Sequence, residues 1–303
     1  MEISRIGERK LIEDIWKIIG ERNEDEDAHF FDAGDRYLLF AMDTVNEGFH
    51  FEREWDPRHV GKFFVDINLS DVASKNGRPL EMMASFSFPK SLEEEWIENL
   101  VAGIKEELDR YGLKYSGGDL KEAKKISLTG LVIGEVRKGE EFRRNGARPG
   151  DFVYISSRIG RNERAIIEYY RGNRERYREI LDIKPRLDIL PSLKKYAITS
   201  CIDNSDGVYK SLDLISRLSG VKIAIENDIS ENSRNEEERV SIYTMGGDYE
   251  LLFTTPNRLR GYPLIGRVYE GEGVVDLNGR LVGQEGYDHF VTDRRLIRTK
   301  VRR

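Results

Sequence analysis

One cysteine, Cys201, stands in 303 residues. That excludes an intrachain disulfide and any multi-cysteine zinc site. No run of about 18 apolar residues occurs, so the sequence offers no membrane-spanning helix. A basic start followed by an apolar core is also missing, so no secretory signal is read. Positive charge is not in surplus: 49 Lys and Arg stand against 55 Asp and Glu, a formal charge of −6. This argues against a general nucleic-acid binder. The expected location is the cytoplasm. The four histidines, His29, His50, His59 and His289, lack zinc spacing. No G-x-x-x-x-G-K-[ST] loop, protein-kinase set, G-x-G-x-x-G or G-x-S-x-G elbow is found.

What is present is a core-forming chain, 39% hydrophobic, with alternating strand and helix patterns. "LIEDIWKII" (11–19) puts Leu11, Ile15, Trp16 and Ile19 on one helical face. "YLLFAM" (37–42) reads as a buried strand ending at Asp43. Residues 60–77 read as a helix with Phe64, Ile67 and Val72 inward, stopped at Asn76-Gly77. "MMASFSF" (82–88) reads as a strand closed by Pro89. Residues 91–112 read as a helix with a serine cap and a Gly112 stop, and 125–136 as a long strand. A turn-rich stretch, "RRNGARPGD" (143–151), follows, and a domain boundary is placed near 138–142. Beyond it come a strand (152–156), a helical stretch (162–196), a helix (207–219) and strands at 221–226 and 249–255. Residues 226–239 read as an exposed loop or short helix. The pattern is α/β or α+β, in two domains, 1–140 and 141–303.

Acids gather at element ends. Asp43 ends a strand, Asp71 lies in "NLSD", Asp119 follows two glycines, and Asp203 and Asp206 stand between a strand and a helix. Asp25, Glu26 and Asp27 form an early acidic loop. Taken singly, Asp206 reads first as a helix N-cap, Asp71 as a solvated helix face and the 25–27 cluster as a solvated loop. Taken together, oxygen-only donors suit Mg²⁺. The glycine pair before Asp119 would let a phosphate approach bare backbone N–H groups.

The ordered motifs "MDTVNEGFHF" (42–51), "NLSDVAS" (68–74), "SGGD" (116–119), "RRNGARPGD" (143–151), "DNSDGV" (203–208), "GGDYELLFT" (246–254) and "GYDHF" (286–290) resemble those of the thiamine-monophosphate kinases. That family belongs to the superfamily of aminoimidazole ribonucleotide synthetase, selenophosphate synthetase and HypE. The resemblance implies a two-domain PurM-like fold, with the N-terminal sheet forming a homodimer interface and a C-terminal α/β domain. It implies transfer of the γ-phosphoryl of ATP to thiamine monophosphate with several Mg²⁺ ions. Carried over by position, Asp27, Asp43, Asp71, Asp119, Asp203 and Asp206 are the expected metal ligands. Gly118, Asp119, Arg144 and Ser205 are the expected ATP contacts, and His50 and Tyr287 the expected substrate contacts. No catalytic acid or base is assigned, because a phosphate monoester already carries a nucleophilic oxygen.

The chain departs from the family pattern at several places. Asp25-Glu26-Asp27-Ala28 replaces Gly-Asp-Asp-Ala, with Glu26 able to coordinate at longer reach. Ala41 and Met42 replace hydroxyl residues, so that contact is lost or moves to Thr44. Asp248 stands where a Glu-Asp pair is usual, and polar Asn204 where an apolar residue is usual. The alternatives are a paralogous ATP-dependent enzyme with another acceptor, and a nucleotide-binding dimer without transfer. Selenophosphate synthetase's early Cys or selenocysteine and HypE's terminal cysteine have no counterpart here.

Overall fold

Strand alternation and helical periodicity decide most of the architecture seen in the computed structural model, which describes residues 2–21, 24–283 and 285–291. Among them the elements run α1 (Glu8–Ile19), β1 (His29–Asp32), β2 (Arg36–Asn46), α2 (Pro57–Ser74), β3 (Arg78–Phe88), α3 (Glu94–Tyr111), β4 (Lys114–Glu122) and β5 (Ser127–Arg137). There follow β6 (Phe152–Ile155), α4 (Arg161–Tyr170), α5 (Tyr177–Leu181), α6 (Leu190–Leu193), β7 (Ser200–Asp203), α7 (Val208–Ser219) and β8 (Lys222–Ile225). The last are α8 (Glu236–Met245), β9 (Leu251–Thr255), β10 (Leu264–Tyr269), β11 (Gly273–Val275) and β12 (Leu281–Val282). No helix among the described residues is long and apolar enough to cross a membrane. The chain forms two compact units: residues 27–142 with 177–196, and the remaining described segments around 143–176 and 197–291 together with residues 2–26.

The first unit carries a five-stranded sheet in the order β1-β2-β5-β3-β4. Along β5 every second residue, Leu128, Gly130, Val132, Gly134 and Val136, is buried. These positions face α2, whose Phe64, Ile67, Leu69 and Val72 are fully inside. Period-two burial on one face is what a sheet covered on one side demands. α2 starts where Asp56 accepts a hydrogen bond from the Arg58 amide, with Pro57 in the first turn. α3 packs on α2 through Leu100, Ile104 and Leu108. It ends as expected at Gly112, whose φ of 68° is the left-handed stop. Its start differs from the sequence reading: Glu93 is the N-cap and no side chain caps it.

The second unit carries a seven-stranded sheet, β12-β11-β8-β10-β6-β9-β7. Its core joins Val153, Ile155, Ile202, Leu212, Ile215, Ile223 and Leu252. The helical stretch expected over 162–196 is broken: α4 belongs to this unit, whereas α5, α6 and Arg186, at φ 53° in the left-handed region, belong to the first. The charge-dense middle has no apolar stripe to hold a continuous helix against a core. α1 forms where its periodicity predicts, yet none of its residues is buried.

Candidate active site

Within the first unit, Asp27 lies just before β1 and Asp71 in the last turn of α2. Their carboxylate oxygens come within 4.8 Å of each other. Two carboxylates at that separation repel unless a cation lies close by. Lys75 supplies one: its Nζ is 2.7 Å from Asp27 Oδ2, with both side chains essentially buried (0% and 1% exposed). Ser74 Oγ donates to the same oxygen at 2.8 Å. The donor set is hard oxygen throughout, which suits Mg²⁺ and other hard divalent cations better than copper or zinc.

Asp43 shares the α2-facing side of β2, opposite Gly130. Its amide donates to Asn68 Oδ1 at 3.0 Å, and Asn68 Nδ2 donates back to Phe64 O at 2.8 Å, fastening the strand to α2. Met42 and Thr44 flank it and project to the other face. Thr44 Oγ1 bonds Thr129 Oγ1 at 2.9 Å there, so Thr44 does not replace the missing hydroxyls on the side of Asp43.

Gly118 and Asp119 lie in β4, beside β3, at a register shift between Met82 and Ala84. A Cβ on Gly118 would fall 1.6 Å from Ala84 O, so only glycine permits this approach of the strands. Asp119 is exposed and pairs with Lys121 Nζ at 2.8 Å, a hydrogen bond that lowers its pKa. His50 closes the turn after β2, with Nδ1 accepting the Asn46 amide at 2.9 Å. That bond leaves the ring proton of the neutral form on Nε2.

In the second unit, Asp203 ends β7 and Asp206 lies two residues before α7. The N-cap of α7 is Gly207, and no side chain caps it, which corrects the reading of Asp206 as a cap. Asp206 instead binds Lys210 Nζ at 2.6 Å through Oδ2. Ser205 Oγ donates to Asp203 Oδ1 at 3.3 Å. The loop is clamped by the Gly246-Gly247 pair: Gly247 N donates to Ser205 O at 2.8 Å, and a Cβ on Gly246 would meet that same oxygen at 2.1 Å. Tyr287 is half-buried, its amide bonded to Asp206 O at 2.9 Å and its ring edge-on to His289.

Arg144 is engaged with the acidic loop. Its amide donates to both oxygens of Glu26 at 3.0 and 3.2 Å, and its guanidinium donates to Asp25 O at 3.1 Å. Glu26 therefore spends its longer reach on a backbone amide. Asp248 turns its carboxylate onto the start of α4, accepting from Gly160 N at 3.1 Å and Asn162 N at 3.3 Å. Burial pushes its pKa up to about 6, against the lowering effect of those two bonds. Asn204 is fully buried, and neither end of its side-chain amide has a hydrogen-bond partner.

The structure thus pairs Asp27 with Asp71, ties Asp206 to Tyr287 and links Asp203 to Ser205; Asp119 is paired with lysine on an exposed edge. Sequence reasoning missed Lys75 and Lys210, although each sits within four residues of a singled-out acid.

The strand expected to end at Asp43 runs on to Asn46, so Asp43, like Asp119 in β4, stands within a strand, while Asp71 and Asp203 stand at element ends. A two-sheet α/β scaffold carrying acids at these places defines the class. Residues 25–136 match the family described as AIR synthase related protein, N-terminal domain. The chain belongs, more narrowly, to the thiamine-monophosphate kinase family. It is 31% identical to the thiamine-monophosphate kinase of Aquifex aeolicus, covering 96% of this chain and 100% of that protein. It is 33% identical to that of Archaeoglobus fulgidus, over 87% of this chain and 90% of the relative. Among solved structures, AaThiL complexed with AMPPCP and TMP superposes with a TM-score of 0.85 at 29% identity, covering 95% of this chain and 99% of that one. A chain of a HypE–HypF complex, 21% identical with a TM-score of 0.70, shares the fold.

Proposed function

We propose that this chain transfers the γ-phosphoryl group of ATP directly to the phosphate of thiamine monophosphate, giving thiamine diphosphate and ADP. The observation that carries this reading is the near-full-length likeness to a chain complexed with AMPPCP and TMP. Two phosphorylated reactants bring much negative charge together, and phosphoryl transfer is mainly positioning and charge neutralisation. Mg²⁺ supplies that neutralisation when bound. Asp27 and Asp71 hold it, supported by their 4.8 Å approach and all-oxygen character. Asp43, Asp119, Asp203 and Asp206 are assigned the same role from their motifs. Gly118, Asp119, Arg144 and Ser205 are assigned the ATP contacts from their motifs. His50 and Tyr287 contact thiamine monophosphate, the tyrosine against its flat ring. No protein base is needed, since the acceptor phosphate arrives with an ionised oxygen.

The enzyme acts as a homodimer through the uncovered face of the first unit's sheet. Phe31, Met42 and Met83 stand exposed there, and an open apolar sheet face favours burial against a second copy. A coupled assay of ADP release, with and without thiamine monophosphate at millimolar Mg²⁺, tests the function. Acceptor-dependent ADP is the expected result, and its absence defeats the reading.

A further inference from the structure

Lys210 sits in the first turn of α7, where the helix dipole disfavours a cation and where no acidic residue is present. Its surroundings account for it. Nζ donates to Asp206 Oδ2 at 2.6 Å and to the carbonyl oxygen of Tyr287 at 2.9 Å, with Glu8 Oε2 at 3.8 Å. The Tyr287 amide in turn donates to Asp206 O at 2.9 Å. Both polar groups of Tyr287's own backbone are therefore gripped by the segment 206–210. Beyond it, Asp288 fixes the same stretch: Oδ2 accepts from Glu8 N at 2.9 Å, and Oδ1 from Phe290 N at 2.8 Å.

We propose that Lys210 is a positioning residue that clasps the Tyr287 segment to the Asp206 loop and so sets the affinity for the acceptor. The inference rests on the roles proposed above for Asp206 and Tyr287. It assigns Lys210 no contact with substrate. A charge-assisted hydrogen bond to a backbone carbonyl is strong enough to hold a short, strand-free segment in one place. Lys210 thereby makes the placement of the aromatic ring depend on the acid loop.

The test compares wild type, Lys210→Met and Lys210→Arg in two measurements. Steady-state kinetics should show KM for thiamine monophosphate raised about tenfold in Lys210→Met, the loss of one such bond, with KM for ATP unchanged. Lys210→Arg, which keeps the charge and several donors, should recover most of the loss. Amide hydrogen exchange should be faster over 286–291 in Lys210→Met than in wild type. Wild-type kinetics and exchange in Lys210→Met overturn the clasp. So does a parallel rise in both KM values, which would place the effect at Asp206 alone. If wild type itself releases no acceptor-dependent ADP, the kinase reading fails separately, and the exchange measurement still decides the clasp.

Discussion

Lys75 Nζ lies 2.7 Å from Asp27 Oδ2, and both side chains are shut off from solvent. An ammonium thus occupies one side of a carboxylate that also faces Asp71. Removing one member of a buried pair leaves the other uncompensated, at a cost of about 3–5 kcal/mol. Lys75→Met should lower stability by that order in urea unfolding. Adding Asp27→Asn should recover part of the loss, because the orphaned charge is then gone.

Asn204 should be a stabilising site. Burying an amide with neither end bonded costs about 1–3 kcal/mol. Asn204→Ile should therefore raise the thermal unfolding midpoint. A lowered midpoint would mean that the amide makes bonds in solution.

Asp248 should make stability depend on acid pH. Its folded pKa of about 6 lies above the ordinary value of 3.8, so the fold favours the protonated form. The favourable contribution is complete below about pH 4 and is lost as pH rises through about 6. Relative to Asp248→Asn, wild type should gain stability on acidification from pH 7 to pH 4, read from urea midpoints. A constant difference between the two would contradict the raised pKa.

Asp71→Asn should reduce kcat/KM on the order of 100-fold or more, as loss of a principal electrostatic element does. The half-saturating Mg²⁺ concentration should rise with it. Unchanged Mg²⁺ dependence would remove Asp71 from the metal set.

Met42→Glu should shift the chain toward monomer in sedimentation measurements. Met42 stands 65% exposed on the uncovered sheet face, and two copies facing one another there would oppose like charges. A dimer that persists unchanged would place association elsewhere.

Much of this fold was legible from periodicity alone. α1, α2, α3, α7 and the long strands β2, β3 and β5 carry patterns strong enough to read. β4 was not, because "KYSGGDLKE" has two glycines, little alternation and an exposed edge position, so pairing with β3 makes it a strand. β10, "LIGRVY", shows no clean alternation, and its pairing with β6 and β8 defines it. The acids are legible as residue types, and their motifs point to the family, although Asp43 and Asp119 lie within strands and not at their ends. Their partners are not legible. Lys75 lies past the last helical residue of α2, and its burial follows from tertiary packing, which no local pattern encodes. Asp206 reads as a cap because cap preference is a local statistic, while the glycine at 207 and the lysine at 210 decide the local geometry.

In β2 one peptide bond separates Asp43, turned toward α2, from Met42, turned to the bare side of the sheet. Substitutions at even-numbered positions from 38 to 44 fall on the bare face, while the odd-numbered ones stay under the constraint of helix packing and the acid. A one-residue deletion upstream in that strand would exchange the two sets at a stroke, presenting a carboxylate to the bare side of the sheet and a thioether to the helix.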